Sequence, residues 1–254
     1  MIRADLLLVA LGLAPSRTNA QNLIDAGRVS AEIDGRLVPV NKSGQKFPPD
    51  FAAFQVRPDP ADRYVSRGGL KMAGALQSAQ LDVRGMSVLD VGQSTGGFTD
   101  CVLQAGACRV VGVDVGHDQL AARLRSDARV RFFEGVNARA LDPSILLAAN
   151  EAQPFDLVIG DVSFISLTLV LPSALALLRP GGYLLSLVKP QFEVGREGIG
   201  RGGIVRDPRL YDGVRRKMSD ALAAEGMQLL KWFDSPITGG DGNREFFVFA
   251  RKAD

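Results

Sequence analysis

Apolar residues recur at helical spacing from Ile2 to Leu11, and Gly12 and Pro15 break the run. Ser16 then stands as an N-cap before a second helix with Ala20, Leu23 and Ile24 on one face, and Gly27 ends it. The period shortens to two at Val29-Ser-Ala-Glu-Ile33. Asp34-Gly35 follows as a tight-turn pair, and Arg36-Leu-Val-Pro-Val40 returns, which predicts a hairpin. Residues 1–56 therefore read as one small α+β unit. The polar, proline-rich stretch 57–63 reads as a linker, and 64–254 as a second domain.

In that second domain, strand patterns at Ser87–Val91, Arg109–Val115, Val130–Phe133, Phe155–Gly160 and Tyr183–Val188 alternate with helical ones. The helical stretches run from Phe98 to Leu103, Gln119 to Arg125 and Leu210 to Glu225. Gln228–Phe233 and Glu245–Arg251 read as an antiparallel pair. The alternation predicts an α/β fold, a mostly parallel doubly wound sheet with an antiparallel C-terminal strand pair.

Of the 254 residues, 46% are hydrophobic and 23% charged, which supports a packed core and excludes global disorder. The net charge of +2 is too small to mark a nucleic-acid binder, so any such affinity must come from local clusters. Cys101, Cys108 and His117 cannot build a Cys/His zinc site, so no metal is expected, and two free thiols fit a reducing compartment. Asp5 interrupts the first apolar run, which also lacks the features of a signal peptide. Val162 to Leu178 carries three serines, a threonine and Pro172, and reads as a buried helix after a strand rather than a membrane span. A cytoplasmic protein with no membrane partner and no evident obligate protein partner is expected.

The segment Leu89-Asp-Val-Gly-Gln-Ser-Thr-Gly-Gly-Phe-Thr-Asp100 lies where the first of these strands turns into a helix. Glycines there let the backbone approach a ligand, and the helix start offers unpaired N–H groups. Asp114 ends the next strand, where two carboxylate oxygens suit a ribose. Nicotinamide enzymes use similar loops. Asp90, placed directly before the loop, disfavours a pyrophosphate and favours the sulfonium and ammonium of S-adenosylmethionine.

Several runs then coincide. Tyr64-Val-Ser-Arg-Gly-Gly-Leu-Lys71, the 89–100 loop, Val113–Leu120, Asn137-Ala-Arg139, Gly160–Leu167, Leu187-Val-Lys-Pro-Gln-Phe-Glu193 and Gly242–Phe246 resemble the TlyA (haemolysin A) family. Those are ribosomal RNA 2′-O-methyltransferases with a Rossmann-like, FtsJ-like class I domain. Residues 2–56 resemble the S-four-type RNA-binding module. Gln93 stands where the family more often has Ala, and Gly135-Val136 precedes Asn137 where Arg-Thr is usual.

The resemblance implies S-adenosylmethionine held by Asp90, Gly92, Gln93, Ser94, Thr95, Gly96, Gly97, Phe98, Asp114, Val115, Asn137 and Asp161. It also implies a catalytic Lys-Asp-Lys-Glu set at Lys71, Asp161, Lys189 and Glu245. These residue types suit the reaction. A ribose 2′-hydroxyl is a weak nucleophile and must lose its proton as the methyl group arrives. Lys189 is the expected base, Lys71 a neighbouring charge, Asp161 the group that orients Lys189, and Glu245 a partner for Lys71 or the ribose.

Arg3, Arg17, Arg28, Arg63, Arg67, Arg196, Arg201 and Arg206 are the expected RNA contacts, with Arg17 and Arg28 clustered at helix ends and the last three in a glycine-rich loop. The expected partner is ribosomal RNA or a ribosomal subunit, and cytidine the modified nucleotide. A non-catalytic RNA-binding or ribosome-assembly factor and a membrane-active haemolysin are the alternatives. The intact four-residue set opposes the first, and the lack of a membrane segment the second.

Overall fold

Asp34 and Gly35, at φ 50° and 75°, close the hairpin that their sequence predicts. The computed structural model describes residues 1–240 and 242–254. They fall into two units, Met1–Asp62 and Arg63–Asp254.

The first unit comprises β1 (Ile2–Arg3), α1 (Ala4–Ala10), α2 (Arg17–Asp25), β2 (Val29–Ile33), β3 (Arg36–Pro39), β4 (Lys46–Phe47) and β5 (Phe54–Val56). The expected first helix loses its first two residues to β1, because Ile2 and Arg3 pair with Phe47 and Lys46. Ser16 caps α2, its hydroxyl accepting the Asn19 N–H at 3.2 Å. β5 pairs with β2 and widens the hairpin to three strands. Leu7, Leu8, Ala20, Ile24, Val29, Phe47 and Phe54 form the core.

Asp5 is fully buried beside that core. Its carboxylate accepts from Arg3 Nε and Nη2, Arg17 Nε and Gln21 Nε2, each at 2.9 Å. These bonds, Arg3's foremost, hold the carboxyl well below the usual carboxylate range despite its burial. Residues 57–62 fold back on the same unit, since Arg28 donates to the Arg57 carbonyl and to both Asp62 oxygens.

The second unit runs α3 (Gly68–Ala79), β6 (Ser87–Val91), α4 (Gly97–Gln104), β7 (Arg109–Asp114), α5 (Ala122–Arg125), β8 (Val130–Glu134), α6 (Pro143–Ala149), β9 (Phe155–Gly160), α7 (Leu171–Leu175), β10 (Leu178–Val188), α8 (Arg209–Ala224), β11 (Met227–Asp234) and β12 (Phe246–Lys252). Its sheet has the order β11-β12-β10-β9-β6-β7-β8. β6 to β10 are parallel, and β12 is antiparallel to both its neighbours. Cores on the two faces include Leu89, Val158, Leu171 and Val248 on one side and Val88, Val102, Leu157 and Phe247 on the other. That alternation of inward residues is what a two-sided sheet requires.

Two expectations differ in extent. β10 starts at Leu178, with a register shift before Tyr183 across Pro180-Gly-Gly182. The expected helix after Val162 is a 3₁₀ turn, Leu167–Leu169, and the short α7. No helix among the described residues is long and apolar enough to cross a membrane.

Register brings polar residues together at one end of this sheet. Val91 faces Gly160, Gly160 faces Ser186, and Val188 faces Phe246. The next positions along, Gly92, Asp161, Lys189 and Glu245, therefore emerge at the same edge.

Candidate active site

Gly92 and Gly96 take φ of 81° and 90° in the loop between β6 and α4. A Cβ on Gly92 would lie 2.7 Å from the Asp161 carbonyl oxygen, so glycine lets the loop close on the neighbouring strand end. Behind the loop, Gln93 Nε2 donates to Thr99 Oγ1 at 2.8 Å, and that hydroxyl donates to Asp90 Oδ2 at 2.6 Å.

Two residues of the expected donor site line no cavity. Asp90 is fully buried, and burial pushes its carboxyl up to about 7 against the Thr99 hydrogen bond. It supports the loop from behind, which corrects the view that its charge faces the ligand. Gly96 packs on α5, where a Cβ would come within 2.3 Å of the Leu124 side chain.

The other expected residues border two cavities. The larger, about 530 Å³, is bounded by Gly92, Ser94, Asp114, Val115, Asn137 and Asp161 with the apolar Val162 and Ile165. The smaller, about 260 Å³, is bounded by Ser66, Arg67, Lys71, Gln93, Thr95, Gly97, Phe98 and Thr238. Ser94 and Asp161 line both. Asp114 Oδ2 accepts the Ser94 N–H and Oδ1 the Gly116 N–H, each at 2.7 Å. Each oxygen keeps a lone pair for a further donor.

The four expected catalytic side chains form two ion pairs. Lys71 Nζ lies 2.5 Å from Glu245 Oε2, and both residues are buried. Lys189 Nζ lies 2.6 Å from Asp161 Oδ1 and donates to Ser163 Oγ at 2.7 Å. Burial raises the Glu245 carboxyl above its ordinary value. Lys71 opposes that rise most, Lys189 less, and Asp161 adds to it. The two pairs thus share one electrostatic environment at the sheet edge.

The expected RNA contacts divide. Arg196, Arg201 and Arg206 are exposed and pair with no carboxylate among the described residues, and Arg67 borders the smaller cavity. Arg63 Nε bonds Gln104 at 3.0 Å. Arg3 and Arg17 share Asp5 but keep 39% and 55% of their side chains exposed. Arg28 is a correction. Its side chain is 13% exposed, its guanidinium is committed to Arg57 and Asp62, and it lies beyond the far end of α2 from Arg17, so the two do not cluster.

Sequence reasoning missed Ser163 and Phe164. Phe164 is 92% exposed at φ 64°, beside the larger cavity, with its ring 5.4 Å from Phe192. A serine and an aromatic residue two and three positions after the strand-end acid Asp161 were the available signal.

A parallel sheet with one reversed strand next to its edge, and a glycine loop after β6, beside the central strand, defines a Rossmann-like methyltransferase. The chain belongs to the FtsJ-like methyltransferase family, whose profile matches residues 64–252. It is 42% identical over 254 residues to the 16S/23S rRNA (cytidine-2′-O)-methyltransferase TlyA of Mycobacterium tuberculosis, spanning 98% of this chain and 89% of that protein. It is 46% identical over 246 residues to YqxC of Bacillus subtilis, spanning 97% and 84% of the two chains. A solved structure from Streptococcus thermophilus, 40% identical, superposes with a TM-score of 0.76 over 100% of this chain and 89% of its own.

Proposed function

We propose that the protein transfers a methyl group from S-adenosylmethionine to the 2′-hydroxyl of a cytidine in ribosomal RNA. The observation that carries this reading is the meeting of Lys71, Asp161, Lys189 and Glu245 at one sheet edge, beside cavities that suit the donor.

The fit to the donor rests on the cavity walls. Val115, Val162 and Ile165 offer an apolar slot for an adenine, and Asp114 faces it with two acceptors for ribose hydroxyls. The smaller cavity offers the hydroxyls of Ser66, Thr95 and Thr238 to a charged amino-acid end. When bound, S-adenosylmethionine supplies an electrophilic methyl group. Lys189 Nζ is the group placed to accept the 2′-hydroxyl proton, and Asp161 and Ser163 aim it. Lys71, held by Glu245, places a positive charge beside the forming alkoxide. Orientation of the hydroxyl by these fixed groups supplies much of the rate.

The reading extends to the whole chain. Residues 1–56 serve as an S-four-type RNA-binding domain, 57–63 as the connection, and 64–254 as the catalytic domain. Ribosomal RNA is the partner and the cytoplasm the location. The test is to incubate the protein with ribosomal subunits and isotope-labelled donor, digest the RNA, and identify the labelled nucleoside by mass spectrometry. Labelled 2′-O-methylcytidine is expected. Label confined to a base, or no label, contradicts the proposal.

A further inference from the structure

Beyond Lys189 the chain makes a 3₁₀ turn, Pro190–Phe192, and arrives at Glu193, whose side chain is 1% exposed. Oε1 accepts the Leu167 N–H at 2.7 Å. Oε2 accepts the Ser166 hydroxyl at 2.6 Å and Lys217 Nζ at 2.7 Å. Lys217 sits on α8 and donates also to the Glu193 carbonyl at 3.2 Å.

The segments that leave the sheet at Asp161 and Lys189 are thus joined twice. Near the sheet, Lys189 meets Asp161 and Ser163. Farther out, Glu193 meets Ser166 and Leu167. Between the two joints lies Phe164 in the left-handed region. That conformation is strained for a non-glycine residue, and it persists only where the surroundings impose it. A residue that is 92% exposed cannot impose it by packing. Phe192, whose ring lies 5.4 Å from that of Phe164, sits on the same turn that ends in Glu193.

The geometry points to Glu193 as a positioning residue for methyl transfer: its carboxylate, held by Lys217, fixes the Ser163–Phe164 segment and Lys189 against each other. This inference rests on the proposed role of Lys189. A glutamine at 193 would set an amide donor against a backbone N–H or an ammonium group, so the joint would open. Loss of the Lys217 ammonium would leave the buried carboxylate without its counter-ion.

The experiment compares the full-length protein with Glu193→Gln, Lys217→Met and Lys217→Arg. It reads kcat, donor Kd and the 15Nζ resonance of Lys189. In Glu193→Gln and Lys217→Met, kcat should fall about 10- to 100-fold and donor Kd should rise by a much smaller factor, since Val162 and Ile165 of the same segment border the donor cavity. The Lys189 resonance should move toward that of a free lysine. Lys217→Arg keeps the charge and should recover both.

Unchanged kcat and an unchanged Lys189 resonance in the first two variants would overturn the inference. So would a donor affinity that falls in step with kcat, which marks general loosening. If the wild type itself methylates no RNA, the proposed function fails separately. The Lys189 resonance then decides alone whether Glu193 holds that lysine.

Discussion

Lys189 Nζ lies 2.6 Å from Asp161 Oδ1, and the two residues leave the ends of adjacent parallel strands. Neither strand alone could make this pair. The register of β9 with β10 sets the distance, and Ser163 Oγ accepts a hydrogen bond from the same Nζ at 2.7 Å. Asp161 also borders both cavities, so one carboxylate touches the donor's space and the lysine that would take the proton.

The second pair has a different character. Lys71 and Glu245 are nearly sequestered from solvent, with side chains 11% and 3% exposed. Lys71→Met leaves Glu245 buried without a partner and should cost about 3–5 kcal/mol by urea unfolding. Combining it with Glu245→Gln should recover most of that stability and none of the methyl transfer.

Asp90 predicts a pH dependence. Its carboxyl stands at about 7 in the fold, against about 3.9 in an unfolded chain. A raised carboxyl contributes stability that is complete below about pH 4 and is lost as pH rises through about 7. The loss should reach about 4 kcal/mol, at about 1.4 kcal/mol per pH unit. Asp90→Asn can still accept from Thr99 and should remove this decline, as measured by urea unfolding between pH 5 and 8.

Phe164 offers a bare aromatic face beside the site. Phe164→Ala should leave the melting temperature unchanged and alter donor Kd far less than it alters RNA binding. It should raise KM for RNA about tenfold, the scale of one lost base–aromatic stack. Phe164→Trp should restore it.

Arg196, Arg201 and Arg206 carry charge with no protein counter-ion among the described residues. Replacing all three by alanine should weaken RNA binding and flatten its dependence on log salt by about 2 to 3, close to one per lost phosphate contact. Donor affinity should not change.

The catalytic domain was legible because its strands are long, apolar and punctuated. Ser87–Val91, Phe155–Gly160 and the final antiparallel pair all lie where hydrophobic runs and turn residues place them. The short strands Lys46–Phe47 and Phe54–Val56 carry too few residues to show a period, and only tertiary pairing makes them strands. Within the site, the motif lysines and acids and their pairing, Asp161 with Lys189 and Glu245 with Lys71, followed from the motifs, whereas Ser163 as a further partner of Lys189 did not. The burial of Asp90 and Asp5 and the role of Glu193 depend on neighbours distant along the chain, so nothing local marks them.

The most direct measurement is single-turnover methyl transfer to ribosomal RNA by Lys189→Ala, read together with donor binding by calorimetry. The account predicts a rate lower by about 1000-fold, the scale of a lost proton acceptor, with donor and RNA affinities close to wild type. A Lys189→Ala protein that methylates the ribose at the wild-type rate would contradict it.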